Sequence, residues 1–361
     1  MNRPIHGGNL AWAAVLAGCP PSFILDFSAS INPLGPPRSA IASIQAHLTA
    51  LAAYPDPDYD LLRTALSQAH QIPPDWILPG NGSAELLTWA GWELSKLEQT
   101  VLVTPAFGDY WRALKTFEAQ VLKYPLAYLG LGIAPRDFRL DIGNLTSLIP
   151  SRSGLLLNNP HNPTGQLFSR ETILPYLEQF ALVVVDEAFM DFLPLSEQQS
   201  LISVVQDYPN LVVLRSLTKF YSLPGLRLGY AIAHPDRLQR WQQWRDPWPV
   251  NALASAAGIA VLQDTVFQQQ TWNWLSAAKP QLFEGLKTLP GLQPYPSAAN
   301  FLLVESAQPS SQVQANLLQH SRILIRDCLS FPELGDRYFR VAVRSREENQ
   351  RLLEGLSAIL G

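Results

Sequence analysis

The densest group of chemically capable residues surrounds Lys219. This lysine lies in the segment Arg215-Ser-Leu-Thr-Lys219-Phe-Tyr-Ser-Leu-Pro-Gly-Leu-Arg227, with hydroxyl residues before it and an arginine after it. Apolar runs over 211–214 and 226–233 predict a buried strand on each side. An ammonium held between buried strands loses solvation, which lowers its pKa and frees the amine to attack carbonyl groups. The arginine and the hydroxyls suit a phosphate group, and the alternative is a surface lysine paired with an acid.

A second segment has the features of an anion site. Gly80-Asn-Gly82-Ser83 leads into a helical pattern that runs to about residue 97. Backbone N–H groups at a helix start bind anions, and the helix dipole adds roughly 0.3–1 kcal/mol. An ordinary capped helix is the alternative interpretation of this segment alone.

Polar side chains also follow two other predicted strands. Asp186 ends the apolar run Val183-Val-Val-Asp186, where a carboxylate can keep a pyridinium nitrogen protonated. Magnesium ligation and structural capping are the alternatives, although the sequence lacks the lysine loop of nucleotide hydrolases. Asn162 lies between two Asn-Pro steps that hold a rigid turn, so its amide either donates to a phenolate oxygen or bonds within the turn. Phe107 offers a flat face to an aromatic cofactor or fills the core.

The elements predicted around these residues place them at one edge of a sheet. Between residues 76 and 233, apolar runs alternate with helical patterns, and the runs cover 101–103, 154–157, 182–185, 211–214 and 228–232. Continuous hydrophobicity predicts a mostly parallel sheet covered by helices on both faces, with its chemistry beyond the carboxyl ends of the strands. The pattern after residue 250 is that of an α+β domain. The predicted fold is therefore α/β, with a large domain over 46–250 and a smaller domain formed by 1–45 and 251–361.

Composition excludes several classes of function. A chain of 361 residues with 47% hydrophobic content can bury two domain cores. The net charge of −4 and the scattered Lys and Arg argue against nucleic acid as a partner. Two distant cysteines form neither a disulfide framework nor a zinc motif, which favours a cytoplasmic protein without a metal. The apolar segment before Cys19 mimics a lipoprotein signal, but a short helix that Asn9 caps and Gly18 ends is the preferred interpretation.

Taken in order, the anion loop, the aromatic residue, the asparagine turn, the strand-end aspartate and the lysine segment resemble the fold-type I pyridoxal-phosphate enzymes over nearly the whole chain. The resemblance implies pyridoxal 5'-phosphate as cofactor, bound covalently by Lys219, which also moves protons. Asp186 would pair with the pyridine nitrogen, Asn162 would bind the phenolic oxygen and Phe107 would stack on the ring. The residues implied for the cofactor phosphate are Gly82, Ser83, Ser216, Thr218 and Arg227.

The same resemblance implies a homodimer with a shared active site and a small phosphorylated amino acid as substrate. Tyr54, in a Tyr-Pro-Asp motif, would reach the cofactor phosphate of the neighbouring subunit. Arg340, in Phe-Arg340-Val-Ala-Val, would bind the substrate α-carboxylate. The residues implied for the substrate phosphate are His6, Asn32 and Arg326.

Three features point to a particular reaction within the family. The opening segments, 6–9 and 26–35, are similar to those of decarboxylases of phosphorylated threonine. Phe189 stands where related aminotransferases have a tyrosine, and Arg344 stands where they have a glycine and would add charge near an anionic substrate. The implied activity is decarboxylation of L-threonine O-3-phosphate to (R)-1-amino-2-propanol phosphate, a step of cobalamin biosynthesis. The alternatives are an aminotransferase for histidinol phosphate or an aromatic amino acid, and a cofactor-binding module without catalysis. His161 replaces an asparagine frequent in the aminotransferases, and its role is open.

Overall fold

The computed structural model describes residues 3–4, 6–129, 137–139, 150 and 152–360. Within this part of the chain the strands are β1 (Leu25–Asp26), β2 (Ile77–Asn81), β3 (Gln99–Thr104), β4 (Val121–Pro125), β5 (Ala127–Leu129), β6 (Asp137–Arg139), β7 (Ser153–Asn158), β8 (Leu182–Asp186), β9 (Leu211–Ser216), β10 (Leu228–Ala233), β11 (Leu292–Pro294), β12 (Phe301–Ser306), β13 (Ile323–Leu324), β14 (Arg326–Asp327) and β15 (Tyr338–Ala342).

The helices described are α1 (Leu10–Ala17), α2 (Arg38–Ala46), α3 (Asp60–His70), α4 (Gly82–Ser95), α5 (Gly108–Thr116), α6 (Arg170–Leu177), α7 (Leu217–Phe220), α8 (Pro235–Trp244), α9 (Ala252–Leu262), α10 (Thr265–Lys287), α11 (Ser310–Ser321) and α12 (Arg346–Leu360). The predicted caps of α1 are confirmed, since Asn9 accepts a hydrogen bond from the Trp12 amide at 3.0 Å and Gly18 is left-handed. None of the described helices is long and apolar enough to span a bilayer.

A seven-stranded sheet forms the centre of the fold, in the order β2-β10-β9-β8-β7-β3-β4. The predicted mostly parallel arrangement is confirmed, because β4, β3, β7, β8 and β9 pair in parallel. β10 is the exception, since it runs antiparallel to both β2 and β9. Its buried, continuous apolar pattern resembles that of its parallel neighbours, so hydrophobicity alone does not reveal its direction.

Both faces of this sheet are buried, as the continuous apolar runs predict. In β8, Val183 and Val185 belong to one core cluster, whereas Leu182 and Val184 belong to another on the opposite face. Successive strand residues point to opposite faces, so a strand covered on both sides must be apolar throughout. This double burial holds the carboxyl ends of the strands in fixed positions.

A second sheet lies in the C-terminal part, in the order β11-β12-β15-β14, and its described pairs are antiparallel. The N-terminal segment packs on this part of the chain, because β1 pairs in parallel with β13 and the Ala342 amide donates to the Phe27 carbonyl at 2.8 Å. The N-terminal segment also supplies residues to the cavity described below, including Ser28 and Ser30.

Candidate active site

The carboxyl edge of the central sheet gathers the predicted residues. The strands β2, β7, β8 and β9 all end at this edge, whereas the reversed strand β10 begins there. The register pairs Gly229 of β10 with Ser216 of β9, and Leu228 with Asn81. The junction of β2 with α4 and both ends of the connection between β9 and β10 therefore meet beside the first turn of α4.

The meeting point of these segments is an anion cradle. Gly82 begins α4 with φ +73°, and a Cβ placed on it would lie 2.6 Å from Nη2 of Arg227. The guanidinium therefore lies against the helix N-terminus, in the space that a side chain would occupy. Ser216 caps α7, and its hydroxyl lies 2.7 Å from that of Thr218. Backbone N–H groups, hydroxyls and a guanidinium are the donors that a phosphate requires.

Lys219 lies on the short helix α7, next to this cradle. Burial lowers the pKa of its ammonium, the cations Arg227 and Arg340 lower it further, and the carboxylate of Asp186 opposes them. Its Nζ lies 5.1 Å from the ring centre of Phe189. A lower pKa makes the neutral amine, which is the form that attacks a carbonyl carbon, more available.

Asp186 lies at the end of β8 with both carboxylate oxygens hydrogen bonded. The Ala188 amide donates to Oδ1 at 3.0 Å and the Tyr110 hydroxyl donates to Oδ2 at 2.8 Å. Burial raises the pKa of Asp186, whereas Lys219 and the Tyr110 hydroxyl favour the charged form. The carboxylate is oriented and faces the same cavity as Lys219.

Arg340 projects from β15 into the cavity and joins the two halves of the site. It donates to Oδ1 of Asn162 and, at 3.3 Å, to the Ser28 carbonyl. Its guanidinium lies 4.7 Å from the ring centre of Phe301, and its Nε is buried without a hydrogen-bond partner. Burial and the nearby Arg326 lower the pKa of Arg340 to about 10.

These groups surround a cavity of about 190 Å³. Seven of the sequence-predicted residues line it, namely His6, Ser83, Phe107, Asn162, Asp186, Lys219 and Arg340. The donor set fits pyridoxal phosphate: an amine for its aldehyde, a carboxylate for its ring nitrogen, an aromatic face and an adjoining anion cradle. The Gly82 cradle is a structural observation in favour of this fit, because the absence of a side chain at Gly82 lets the Arg227 guanidinium lie against the N-terminus of α4.

The remaining predicted residues lie elsewhere. Asn32 is fully engaged, because its amide donates to the Phe220 carbonyl and to the Thr271 hydroxyl, both at 2.8 Å, and accepts from the Leu34 amide at 3.0 Å. Its own backbone amide donates to the Lys219 carbonyl at 3.1 Å. This bonding gives Asn32 a role in holding the Lys219 segment, and its contact with substrate stays a prediction.

Two other predicted residues, Tyr54 and Arg326, are not part of the cavity lining. Tyr54 is 77% exposed and stacks on Trp248 at 4.2 Å between ring centres, outside the cavity lining. Arg326 is buried next to the cavity and donates to the Pro4 carbonyl at 3.3 Å and to the Ser330 hydroxyl. The His6 ring lies 5.3 Å from that of Phe107, and burial and Arg326 lower the pKa of His6.

The structure corrects one expectation and answers an open question. Arg344 does not line the cavity, because it forms an ion pair with Glu348 at 2.8 Å and donates to the Asp26 carbonyl. The charge of Arg344 is therefore compensated by Glu348 of α12, the helix that follows it. His161 is fully buried, with Nδ1 2.9 Å from the Thr164 hydroxyl, so it holds the asparagine turn.

Sequence reasoning missed two residues of the site. Tyr110 lines the cavity three positions after Phe107, a spacing that places both on one face of a helical turn. Ser28 accepts from Arg340 through its carbonyl and from the Gly8 amide through its hydroxyl at 2.8 Å. The spacing of Tyr110 from Phe107 could have revealed it in the sequence, whereas Ser28 is recognised only through its contacts with distant segments.

The fold and the cavity together have the features of a pyridoxal-phosphate enzyme. The model of the aminotransferase class I and II family matches residues 23–356. The chain is 40% identical to a threonine-phosphate decarboxylase of Salmonella typhimurium, over 98% of this chain and 96% of that one. It is 35% identical to a histidinol-phosphate aminotransferase of Symbiobacterium thermophilum, over 91% of this chain and 89% of that one.

A solved structure has the same fold. The crystal structure of the histidinol-phosphate aminotransferase from Clostridium acetobutylicum matches with a TM-score of 0.85 and 26% identity, covering 93% of this chain and 99% of that one. The chain belongs to the aminotransferase class I and II family. Enzymes of this family use pyridoxal phosphate, which confirms the cofactor predicted from the sequence.

Proposed function

We propose that this enzyme decarboxylates L-threonine O-3-phosphate to (R)-1-amino-2-propanol phosphate, as a step of cobalamin biosynthesis. The observation that carries the proposal is the state of Arg340. Its guanidinium is buried in the same cavity as Lys219, and among the described residues it has no carboxylate within salt-bridge distance. A buried cation requires an anion, and a substrate carboxylate supplies one.

A second positive charge lies beside Arg340 and favours a substrate with two anionic groups. Arg326 lowers the pKa of both Arg340 and His6, so its positive charge acts at both positions. The carboxylate and phosphate of phosphothreonine match this pair better than histidinol phosphate, which has a phosphate alone.

The roles of the cofactor residues follow from their positions. In this proposal Lys219 holds the cofactor covalently, Asp186 pairs with its ring nitrogen, Phe107 stacks on the ring and Asn162 donates to the phenolic oxygen. The cofactor phosphate occupies the cradle of Gly82, Ser83, Ser216, Thr218 and Arg227. Each assignment uses a group that faces the cavity or the adjoining cradle.

The reaction requires that residues of this chain orient the substrate carboxylate, hold a charge near the cofactor ring and deliver a proton. When bound, pyridoxal phosphate accepts the electron pair that remains on Cα after carbon dioxide leaves. Arg340 orients the carboxylate, and Asp186 holds negative charge opposite the ring nitrogen that gains electron density. Lys219 Nζ delivers the proton that replaces the carboxylate on Cα, while His6 lines the cavity beside Phe107.

The proposal includes a homodimer in the cytoplasm. Exposed apolar side chains surround Tyr54, and several of them are more than half exposed, including Leu48, Leu51 and Leu61. They line or flank a groove formed by α3, α9 and the segment 47–56. Apolar surface of this kind is typical of a subunit interface, and it carries the tyrosine proposed to reach the partner's cofactor phosphate.

The direct test is incubation of the reconstituted enzyme with O-phospho-threonine in the absence of any keto acid. Release of carbon dioxide together with aminopropanol phosphate is expected. Lys219→Ala is the control and should release neither, because it removes the amine. Full turnover by that variant would contradict the covalent role of Lys219.

The second candidate is an aminotransferase for histidinol phosphate or an aromatic amino acid, which the 35% identity to the Symbiobacterium enzyme favours. Such an enzyme takes up the amino group of glutamate, which would abolish the absorbance of the bound aldehyde cofactor. We expect that absorbance to persist with glutamate. Its loss, together with amino transfer from histidinol phosphate to 2-oxoglutarate and no carbon dioxide from phosphothreonine, would establish the aminotransferase.

A further inference from the structure

We propose that Tyr110 is a positioning residue that fixes the carboxylate of Asp186 against the ring nitrogen of the cofactor. Tyr110 is 2% exposed and lies on α5, and its hydroxyl donates to Oδ2 of Asp186 at 2.8 Å. Both residues line the cavity. The inference depends on the cofactor and on the proposed partner of Asp186, but not on which reaction follows.

The hydrogen bonds leave the carboxylate a single orientation. Oδ1 is held by the amide of Ala188, two residues further along the same segment, and Oδ2 is held from a different element by Tyr110. A carboxylate with one donor on each oxygen cannot rotate about its terminal bond without losing one of them. Without the hydroxyl, only a local backbone bond would orient the group.

Tyr110 also couples this carboxylate to the stacking ring. Its backbone amide donates to the Phe107 carbonyl at 3.0 Å, and the two rings meet edge to face with centres 5.7 Å apart. One helical turn therefore carries both the aromatic ring proposed to stack on the cofactor and the hydroxyl that holds the Asp186 carboxylate. Any displacement of this turn changes both contacts together.

The electrostatics explain why the hydroxyl is needed. Burial raises the pKa of Asp186, and the ammonium of Lys219 is the largest opposing effect, followed by the Tyr110 hydrogen bond. The Lys219 nitrogen is the group that would bond the cofactor, so the interaction of its charge with Asp186 would change when the cofactor binds. The Tyr110 hydrogen bond would continue to stabilise the carboxylate after that change.

The test compares Tyr110→Phe with Tyr295→Phe. Tyr295 is a matched control, because it is 3% exposed and donates to a carboxylate oxygen of Glu305 at 2.8 Å, outside the cavity. Apoenzyme is titrated with pyridoxal phosphate, and the absorbance of the bound cofactor is followed against pH. A charge-assisted hydrogen bond predicts about a tenfold rise in the cofactor Kd for Tyr110→Phe, with a shifted pH titration. Tyr295→Phe should stay within about twofold of wild type on the same scale.

A second set of variants tests whether Tyr110 acts through Asp186. In an Asp186→Asn background, adding Tyr110→Phe should change the cofactor Kd by less than about twofold, since coupled residues are not additive. Thermal unfolding of the apoenzyme reports on the fold of each variant. An unchanged Kd and pH titration for Tyr110→Phe, or equal changes for both tyrosine variants, would overturn the proposal.

The outcome is separable from the reaction assigned above. A changed cofactor Kd with no carbon dioxide from O-phospho-threonine would remove the proposed reaction and leave the role of Tyr110. Release of carbon dioxide by the wild-type enzyme, together with an unchanged cofactor Kd in Tyr110→Phe, would support the proposed reaction and remove the role of Tyr110.

Discussion

At the scale of single residues, Arg340 is the group whose surroundings are most unusual. It combines nearly complete burial with an unpartnered Nε, and its described hydrogen bonds go to neutral oxygens of Asn162 and Ser28. A guanidinium presents a planar fork that matches a carboxylate, and an ammonium does not. The residue is thus suited to a ligand rather than to a partner within the chain.

Replacing Arg340 by lysine should therefore raise KM for O-phospho-threonine by about 10- to 100-fold, the equivalent of one charge-assisted hydrogen bond. The measurement is steady-state kinetics with the cofactor saturating. Arg344→Lys is the matched control, because that arginine pairs with Glu348 outside the cavity. It should change KM by less than about twofold, within the range of exposed pairs. A larger effect at Arg344 than at Arg340 would contradict the assignment.

His161, which is buried, and His70, which is half-buried, predict the response of the fold to acid. Burial lowers the pKa of His70 and of His161 from 6.5 to about 3. Below pH 6.5 the unfolded chain takes up protons that the folded rings do not, so the free energy of unfolding decreases with pH down to about pH 3. Each ring contributes a slope of about 1.4 kcal/mol per pH unit. Urea unfolding of wild type and His161→Gln between pH 7 and 5 measures this, and the variant should lose stability less steeply. Parallel slopes would show that His161 is not the cause.

At the scale of elements, Gly82 and Arg227 show how a guanidinium is accommodated against the N-terminus of α4. Gly82→Ala adds a Cβ at φ +73° and 2.6 Å from the Arg227 guanidinium. Strain and displacement of the arginine together should weaken cofactor binding by about tenfold and destabilise the fold by about 1 kcal/mol. Gly225→Ala is the control, because Gly225 lies two residues before Arg227 and a Cβ added to it meets nothing within 4 Å. Cofactor titration and thermal unfolding of both variants decide the matter, and equal effects would refute the crowding argument.

The elements also show what a sequence can and cannot predict. Phe107, Asn162, Asp186 and Lys219 follow buried strands, so the rule for the carboxyl edge of a parallel sheet was sufficient to bring them together. Asn32 was different, because its partners Phe220 and Thr271 lie 188 and 239 positions away, and local patterns carry no information about such contacts. The pairing of Arg344 with Glu348 is an i,i+4 contact at the start of α12, and its spacing was visible in the sequence. The direction of β10 was not, and the division into two domains stays a prediction.

At the scale of the whole molecule, the role proposed for the exposed Tyr54 would make the site depend on a second subunit. Mixing Tyr54→Ala with Lys219→Ala should restore activity, because each hybrid dimer has one site with an intact lysine and an intact partner tyrosine. Random exchange gives about one quarter of the wild-type sites, a level set by symmetry of the closed dimer. Sedimentation measures the dimer, and the release of carbon dioxide measures the restored sites. A monomer in solution, or no recovery after verified subunit exchange, would contradict a shared site.

The reversal of β10 has a consequence for how this molecule can change. Ser216 and Gly229 are locked opposite each other by the ladder, so the chain between them is a closed span with both ends fixed. Lys219 sits near its entrance and Arg227 near its exit. An insertion or deletion in this span would change the position of Lys219 relative to Arg227. The same change in a connection whose ends are not paired with each other could be accommodated by a shift of the neighbouring elements. We therefore expect changes in the length of the connection between Ser216 and Gly229 to be poorly tolerated.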